Sequence, residues 1–392
     1  MPTNNILPIE AYTHNRWFDL EMQHIFSATW AFAGLAEDVT QPGQYKCVKA
    51  GLNNLAIIMG QDNQLRAFHN QCRHKGIALL QAQGIAKKVL VCPYHDWSYN
   101  LKGELVSAPK MKTEFPNLDK SCHGLKPASV AIWRGMLWVH PKPNAPDITQ
   151  WFSGITPHLG AHQPEQLSES AKDKVVEEIN ANWKIVVENY IDHYHLAQLH
   201  SGTLNTYDHA NAEFGFVGPH FAFWEPLTKD YADQLSKKSP LPLIDHIPSE
   251  QLGASVPMLF PAIGLSETES SWSTFHIIPL AVDRTRVEIR TKVMPASSWE
   301  FAKQGMRSQQ FWIDRLRPKS KDHDTEHPLG SADFLQEDIY VCEHQQKALQ
   351  NPFFELGPSA IKGEQPIRDH QQIVLDYLKP HLTKQMKDDF LE

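Results

Sequence analysis

Cys72-Arg73-His74, then seventeen residues, then Cys92-Pro93-Tyr94-His95: this stretch decides how the chain is read. Each end offers one thiol and one imidazole within three or four residues. Two thiolates on one iron and two imidazoles on the other would hold a two-iron, two-sulfide cluster. The same four side chains also suit tetrahedral zinc, which accepts two sulfurs and two nitrogens. Spacing alone leaves both open.

Around the stretch the texture is that of short strands. Tyr45–Val48, Leu55–Met59 and Leu65–Phe68 are separated by turn residues such as those at 60–63, which predicts an antiparallel meander. Val89–Val91 runs straight into the second cluster, and Trp97–Tyr99 precedes a Lys102-Gly103 turn. Val130–Trp133 and Met136–Val139 read as a hairpin across Arg134-Gly135. The metal-type residues are therefore expected on loops of a small all-β unit. The proline-rich Pro141–Pro146 cannot enter a sheet interior and ends that unit. Before it, apolar residues at helical spacing from Glu10 to about Thr29 predict one helix leading into a strand at Trp30. Beyond it come a strand at Val175–Ile179, a helix from Trp183 and an irregular aromatic region over 203–265. A hairpin then pairs Trp272–Ile278 with Arg286–Val293, and helical patterns occupy Ser298–Leu316, Ser331–Leu349 and Pro366–Tyr377.

At 392 residues, with 41% apolar and 21% charged residues, the chain has the composition of a globular protein of two domains. A net charge of −8 and the lack of basic runs argue against nucleic acid and anionic membranes as partners. No apolar run approaches the length of a membrane span, and the first residues carry neither a basic region nor an apolar core, so an export signal is not expected. Five cysteines, with Cys47, Cys122 and Cys342 scattered outside the metal-type stretch, do not form a disulfide framework. A cytoplasmic location follows as the expectation.

A second constellation lies at residues 182–200. Trp183, Val186, Val187, Tyr190 and Tyr194 share one face of a helical wheel; Glu188, Asp192 and His195 share the other. Apolar Ile185, Ile191 and Leu196 flank those polar groups, so the helix is expected to be buried, and its ionisable residues need partners or a metal. His195 and His200 are five apart, about 140° on a regular helix, so the helix must end or bulge before His200 for both rings to face one ion. In the segment Phe334–Glu343 the wheel sets Asp338 amid Phe334, Leu335, Val341 and Cys342, while Glu337 and Glu343 point elsewhere. An acid within an apolar stripe is costly unless paired or metal-bound. Two histidines and one carboxylate make the facial triad of non-heme iron.

Together, the two Cys/His loops, the Asn182–His200 run and the Gln336-Glu337-Asp338 helix resemble those of the Rieske non-heme iron oxygenases, α (catalytic) subunit, over nearly the whole chain. The resemblance implies an α+β fold, with a small antiparallel all-β Rieske domain (42–146) inserted into a catalytic domain (1–41 and 147–392). The catalytic domain's antiparallel sheet would be flanked by helices in a helix-grip-like arrangement. It implies that Cys72, His74, Cys92 and His95 hold a [2Fe-2S] cluster and that His195, His200 and Asp338 hold a mononuclear Fe(II). Asp192 matches the acid that bridges the two centres across a subunit boundary, Asn189 lies near the iron, and a homotrimer or a multiple of it is implied. The chain departs from the pattern at Lys75, where the family usually has Arg, and at Asp96, where it usually has Gly.

One centre passing single electrons and another with open positions for O2 describe an oxygenase. The chain has no Gly-x-Gly-x-x-Gly fingerprint, so NAD(P)H and flavin are assigned to a separate reductase, acting directly or through a ferredoxin. Phe221, Phe223 and Trp224, with other aromatic residues such as Phe214 and Phe216, are read either as plain core or as the lining of a pocket for a small-molecule substrate, one suited to a quaternary ammonium group. The resemblance leans toward the choline, carnitine and betaine branch, hence hydroxylation or oxidative N-demethylation; cis-dihydroxylation of an aromatic ring is the alternative. A zinc protein or plain iron–sulfur carrier is the alternative from another class.

Overall fold

The computed structural model describes residues 5–201, 204–315, 327–331, 333–384 and 386, with the side chains of 170–173 and 309–315 left aside. Internal contacts divide the chain into two compact units, Glu21–Phe152 and Met1–Leu20 with Ser153–Glu392. Every strand pairing among the described residues is antiparallel.

The smaller unit contains β1 (Ala31–Leu35), β2 (Gln44–Ala50), β3 (Asn53–Met59), β4 (Leu65–His69), β5 (Gln83–Ile85), β6 (Val89–Val91), β7 (Ser98–Asn100), β8 (Leu105–Ser107), β9 (Pro127–Trp133) and β10 (Met136–His140). Seven of them form one sheet in the order β1-β10-β9-β4-β3-β2-β5, and β6-β7-β8 form another. The β9–β10 hairpin turns at Arg134 and Gly135, both at positive φ (48° and 70°), as a tight two-residue turn that follows strand twist requires. One core, including Leu55, Ile57, Ala67, Leu137 and Val139, belongs to the large sheet. A second, made of Leu79, Leu90, Trp97, Tyr99, Leu101 and Leu105, includes Cys72 and Cys92.

This unit is wider than the 42–146 span read from the sequence. Sheet pairing explains the N-terminal side, because Ala31 is in register with Val139 and Phe32 with Trp138. Ring packing explains the other: Phe152 stacks on Trp133 at 4.2 Å. The helix expected over Glu10–Thr29 is also interrupted. His14 adopts an extended conformation between helices Glu10–Thr13 and Asn15–Glu21, and a π-helical turn follows at Met22–Phe26.

The larger unit is built on an eight-stranded sheet: β11 (Ser168–Ile179), β12 (Glu213–Val217), β13 (His220–Pro226), β14 (Gly253–Ser255), β15 (Met258–Leu259), β16 (Ile263–Glu267), β17 (Ser271–Ala281) and β18 (Arg284–Val293). Four of these strands, β12 to β15, fall in the 203–265 region expected to be irregular, and β16 begins in it. The missing signal is physical: β13 is buried at His220, Phe221, Ala222 and Phe223 in succession, so no polar alternation marks it. The expected β17–β18 hairpin pairs Trp272 with Lys292 and Ile278 with Arg286. The helix Trp183–Ile191 packs on this sheet where Gly264 leaves room. A Cβ there would come within 2.5 Å of the Tyr190 ring, whose hydroxyl donates to the Leu265 carbonyl at 2.5 Å. Helices Ser298–Arg315, Phe334–Leu349 and Gln365–Leu378 occur where expected, with Leu316 outside the described residues and the second helix starting at Phe334, after its Asp333 cap, rather than at Ser331.

Candidate metal centres

The two Cys/His loops are built alike. Cys72 donates its N–H to Ile77 and accepts from Gly76; Cys92 donates to Trp97 and accepts from Asp96, at 2.8 to 3.1 Å throughout. Each loop therefore turns at the fourth residue after its cysteine, and both turning residues have positive φ, 78° at Gly76 and 56° at Asp96. This accounts for the Asp96 departure: the position needs left-handed backbone, which glycine adopts freely and Asp tolerates better than most residues. The loops bring the His74 and His95 rings to 4.7 Å, with Trp97 stacked on His74 at 5.0 Å. Cys72 Sγ lies 3.3 Å from the Tyr99 hydroxyl. Burial pushes the Cys92 thiol up, and burial with the nearby His95 and Lys75 charges pushes the His74 imidazole down. His74 Nδ1 is buried with no protein hydrogen-bond partner. A buried imidazole nitrogen without a partner fits a metal ligand, and so do two buried cysteine thiols beside it.

In the larger unit His195, His200 and Asp338 bring one donor atom each to a common point. His195 Nε2 is 3.2 Å from His200 Nε2, and Asp338 Oδ1 is 3.1 Å from His200 Nε2 and 3.7 Å from His195 Nε2. Three donors at about 2.1 Å from one ion, in neighbouring positions, are separated by about 3 to 3.5 Å. The convergence depends on a broken helix, and the break comes earlier than the wheel implied. The first helix ends at Ile191, Asp192 turns extended (φ −75°, ψ 112°), and one turn of helix, Leu196–Leu199, sets His195 at its start and His200 at its end. Asp192 holds this turn, accepting from the Tyr194 N–H at 2.8 Å while its other oxygen faces His195 Nδ1 at 3.0 Å. Tyr194, expected on the buried face, is exposed. Asn189 Nδ2 donates to Asp338 Oδ1 at 3.3 Å.

Glu337 corrects the wheel reading. It does not point elsewhere but is buried, with Oε2 2.7 Å from His200 Nδ1. Burial opposes charging His200, yet Asp338 and then Glu337 outweigh it and hold its pKa above the usual imidazole range. A metal binding there displaces a proton. Glu188, drawn with Asp192 on the polar face, finds its partners away from the triad: the Tyr12 hydroxyl donates to it at 2.6 Å and Gln371 at 3.4 Å.

The aromatic residues separate into two settings. Phe221 and Phe223 are buried beside Phe214 and Phe216, and the ring of His193, between Asp192 and His195 in the chain, stacks on Phe214 at 4.8 Å. Phe223 and Trp224 also line a cavity of about 500 Å³ with Ser255 and the buried Glu267; its lining includes none of the triad. A separate cavity of about 530 Å³ is lined by Asn189, Asp192 and His195 together with Glu188, Gln198 and Leu356.

A two-thiol, two-imidazole loop pair and a two-His, one-carboxylate triad in one chain define an iron-dependent oxygenase. Residues 164–380 match the family model for the ring hydroxylating alpha subunit (catalytic domain), and residues 29–128 match that for the Rieske [2Fe-2S] domain. The chain belongs to the Rieske non-heme iron oxygenases as a catalytic α subunit, with a [2Fe-2S] cluster and a mononuclear iron as its cofactors. It is 28% identical over 386 residues to the glycine betaine monooxygenase oxygenase subunit of Chromohalobacter salexigens, covering 90% of this chain and 81% of that one. It is 32% identical over 191 residues to the carnitine monooxygenase oxygenase subunit of Acinetobacter baumannii, covering 49% of this chain and 51% of the relative, about half of each. In fold it is similar to a quaternary ammonium Rieske monooxygenase in complex with L-carnitine (TM-score 0.72, 21% identity, 96% of both chains). It is also similar to naphthalene 1,2-dioxygenase with indole bound (TM-score 0.67, 19% identity, 96% and 95% of the two chains). No helix among the described residues is long and apolar enough to cross a membrane.

Proposed function

We propose that the chain is the oxygenase component of a system that hydroxylates, or oxidatively N-demethylates, a small quaternary ammonium compound. One observation carries the reaction class: His195, His200 and Asp338 converge on one point, with a carboxylate behind each imidazole. Iron held there supplies the dioxygen chemistry: one oxygen atom enters a substrate C–H bond and the other leaves as water, with two electrons and two protons consumed. Hydroxylation on an N-methyl group then releases formaldehyde and the demethylated amine. Cys72, His74, Cys92 and His95 would hold the cluster that receives electrons singly from a separate NAD(P)H-dependent reductase, directly or through a ferredoxin.

The substrate class is supported by the relatives named above and by the chemistry of the larger unit. Phe214, Phe221 and Phe223 reach the metal run through His193, and the same sheet buries Glu225 and Glu267. Aromatic faces favour a cation that cannot donate hydrogen bonds.

A homotrimer, or a multiple of it, is proposed on two grounds. Asp192 lines the 530 Å³ cavity beside His195, where a neighbour's cluster loop could approach. Lys and Arg outnumber Asp and Glu within Glu21–Phe152, and the reverse holds in the other unit, so the two kinds of unit attract one another between copies. Light scattering on the purified protein tests the assembly.

The function is tested by oxygen uptake with a surrogate reductase across glycine betaine, carnitine, choline and naphthalene. The expected result is NADH-coupled uptake with one of the ammonium compounds and none without reductase. Turnover with naphthalene alone, or oxygen consumption by the chain and NADH without another protein, would overturn the reading.

A further inference from the structure

The triad histidines are held from behind by two different carboxylates. Asp192, in the turn between the helices, serves His195, and Glu337 serves His200. We propose that Glu337 is a positioning residue for the mononuclear metal, fixing His200 with its proton on Nδ1 and its Nε2 lone pair turned to the ion. The inference rests on the metal-site reading of His195, His200 and Asp338.

Glu337 and Asp338 are consecutive residues near the start of the helix Phe334–Leu349, so their side chains leave it about 100° apart. The shorter Asp338 meets the inner nitrogen of His200 at 3.1 Å, and the longer Glu337 reaches the outer one at 2.7 Å. One imidazole is thus gripped at both nitrogens by neighbouring residues of a single helix turn. That turn is fixed by its own cap: Asp333 accepts from Leu335 and Gln336, and its carbonyl accepts from the Glu337 N–H at 3.0 Å. The His200 and Glu337 side chains are 1% and 6% exposed, so water does not compete for the contact. A carboxylate only accepts when ionised, so His200 must carry its proton on Nδ1, leaving Nε2 as donor to the metal. Carboxylates placed in this way orient a ligating imidazole and raise its basicity.

The test is a titration with Co²⁺, a coloured probe for the iron site, of protein that keeps its cluster but is depleted of the mononuclear metal. Wild type, Glu337→Ala, Glu337→Gln and His195→Ala are compared. Glu337→Ala is expected to bind Co²⁺ about 10- to 100-fold more weakly, with shifted cobalt visible bands. Glu337→Gln, whose amide oxygen still accepts from Nδ1–H, is expected to stay within about threefold of wild type with unshifted bands. Cluster absorbance and the thermal midpoint of the metal-depleted proteins report folding separately. If Glu337→Ala does not fold, Glu337→Asp replaces it, because one methylene less withdraws the carboxylate from the ring while keeping the charge; it is expected to weaken Co²⁺ binding as Glu337→Ala would. Wild-type affinity and bands in the folded truncation overturn the proposal, as does an equal loss in Gln and Ala variants. If wild type takes up no Co²⁺, or His195→Ala binds it equally well, the metal-site reading itself has failed.

Discussion

Removing one hydroxyl beside the cluster loops should lower the potential of the cluster. Tyr99 is fully buried, and its oxygen accepts the Arg73 backbone N–H at 2.9 Å while lying 3.3 Å from Cys72 Sγ. Since the N–H can only donate, the single phenol proton is turned toward the sulfur. Burial, reinforced by Cys72, keeps that proton in place well above the usual phenol range. With Cys72 ligating as proposed, reduction adds negative charge to the sulfur, and the hydrogen bond strengthens. A hydrogen bond contributes about 1 kcal/mol between neutral groups and about 1.5–3 when one is charged, so the gain on reduction is about 1 kcal/mol. At about 59 mV per tenfold change for one electron, Tyr99→Phe should lower the midpoint potential by about 40 mV. It also strands the Arg73 N–H, which costs about 1–3 kcal/mol of stability. A redox titration followed by visible circular dichroism reads the first effect and thermal unfolding the second. An unchanged potential in a folded, cluster-loaded variant would refute the assignment of the proton to Cys72.

Other substitutions probe separate parts of the structure. At Asp96 (φ 56°), Asp96→Gly should hold the unfolding midpoint near that of wild type, whereas Asp96→Val should cost about 1–2 kcal/mol, measured by loss of cluster colour on heating. Glu269 is buried, and desolvation raises its pKa despite hydrogen bonds donated by Tyr231 and Tyr207. The folded state therefore holds this proton more tightly than the unfolded chain, where Glu titrates at about 4.3, and stability falls as pH rises through the folded pKa. Glu269→Gln, nearly the same shape, should raise the melting temperature at about pH 8 and lose that advantage near about pH 4; an equal gap at both pH values would contradict it. Asp338→Ala should remove the mononuclear iron and abolish turnover while leaving cluster iron and acid-labile sulfide unchanged, as metal and sulfide analysis would show. Asp192→Asn should keep both metals, yet slow reoxidation of the pre-reduced cluster in stopped-flow mixing with substrate and O2.

The candidate ligands were legible in the sequence because ligation depends on side-chain type and short spacing, and both were present at Cys72–His74, Cys92–His95 and His195–His200. Hairpins were legible where a turn residue and a clean register coincided, as at Arg134-Gly135. The strands within 203–265 were not, since consecutive burial along His220–Phe223 erases the period-two signal. Asp96 stood out in the sequence as a charge, and only the backbone showed it to be the second of two matched left-handed turns. The partner of Glu337 was hidden for a related reason. A helical wheel ranks directions around one axis, whereas the group that meets Glu337 lies 137 residues away on another element. Residue type determined which side chains could bind metal; tertiary structure alone decided which carboxylate stands behind which imidazole, because that depends on distances between segments no local pattern encodes.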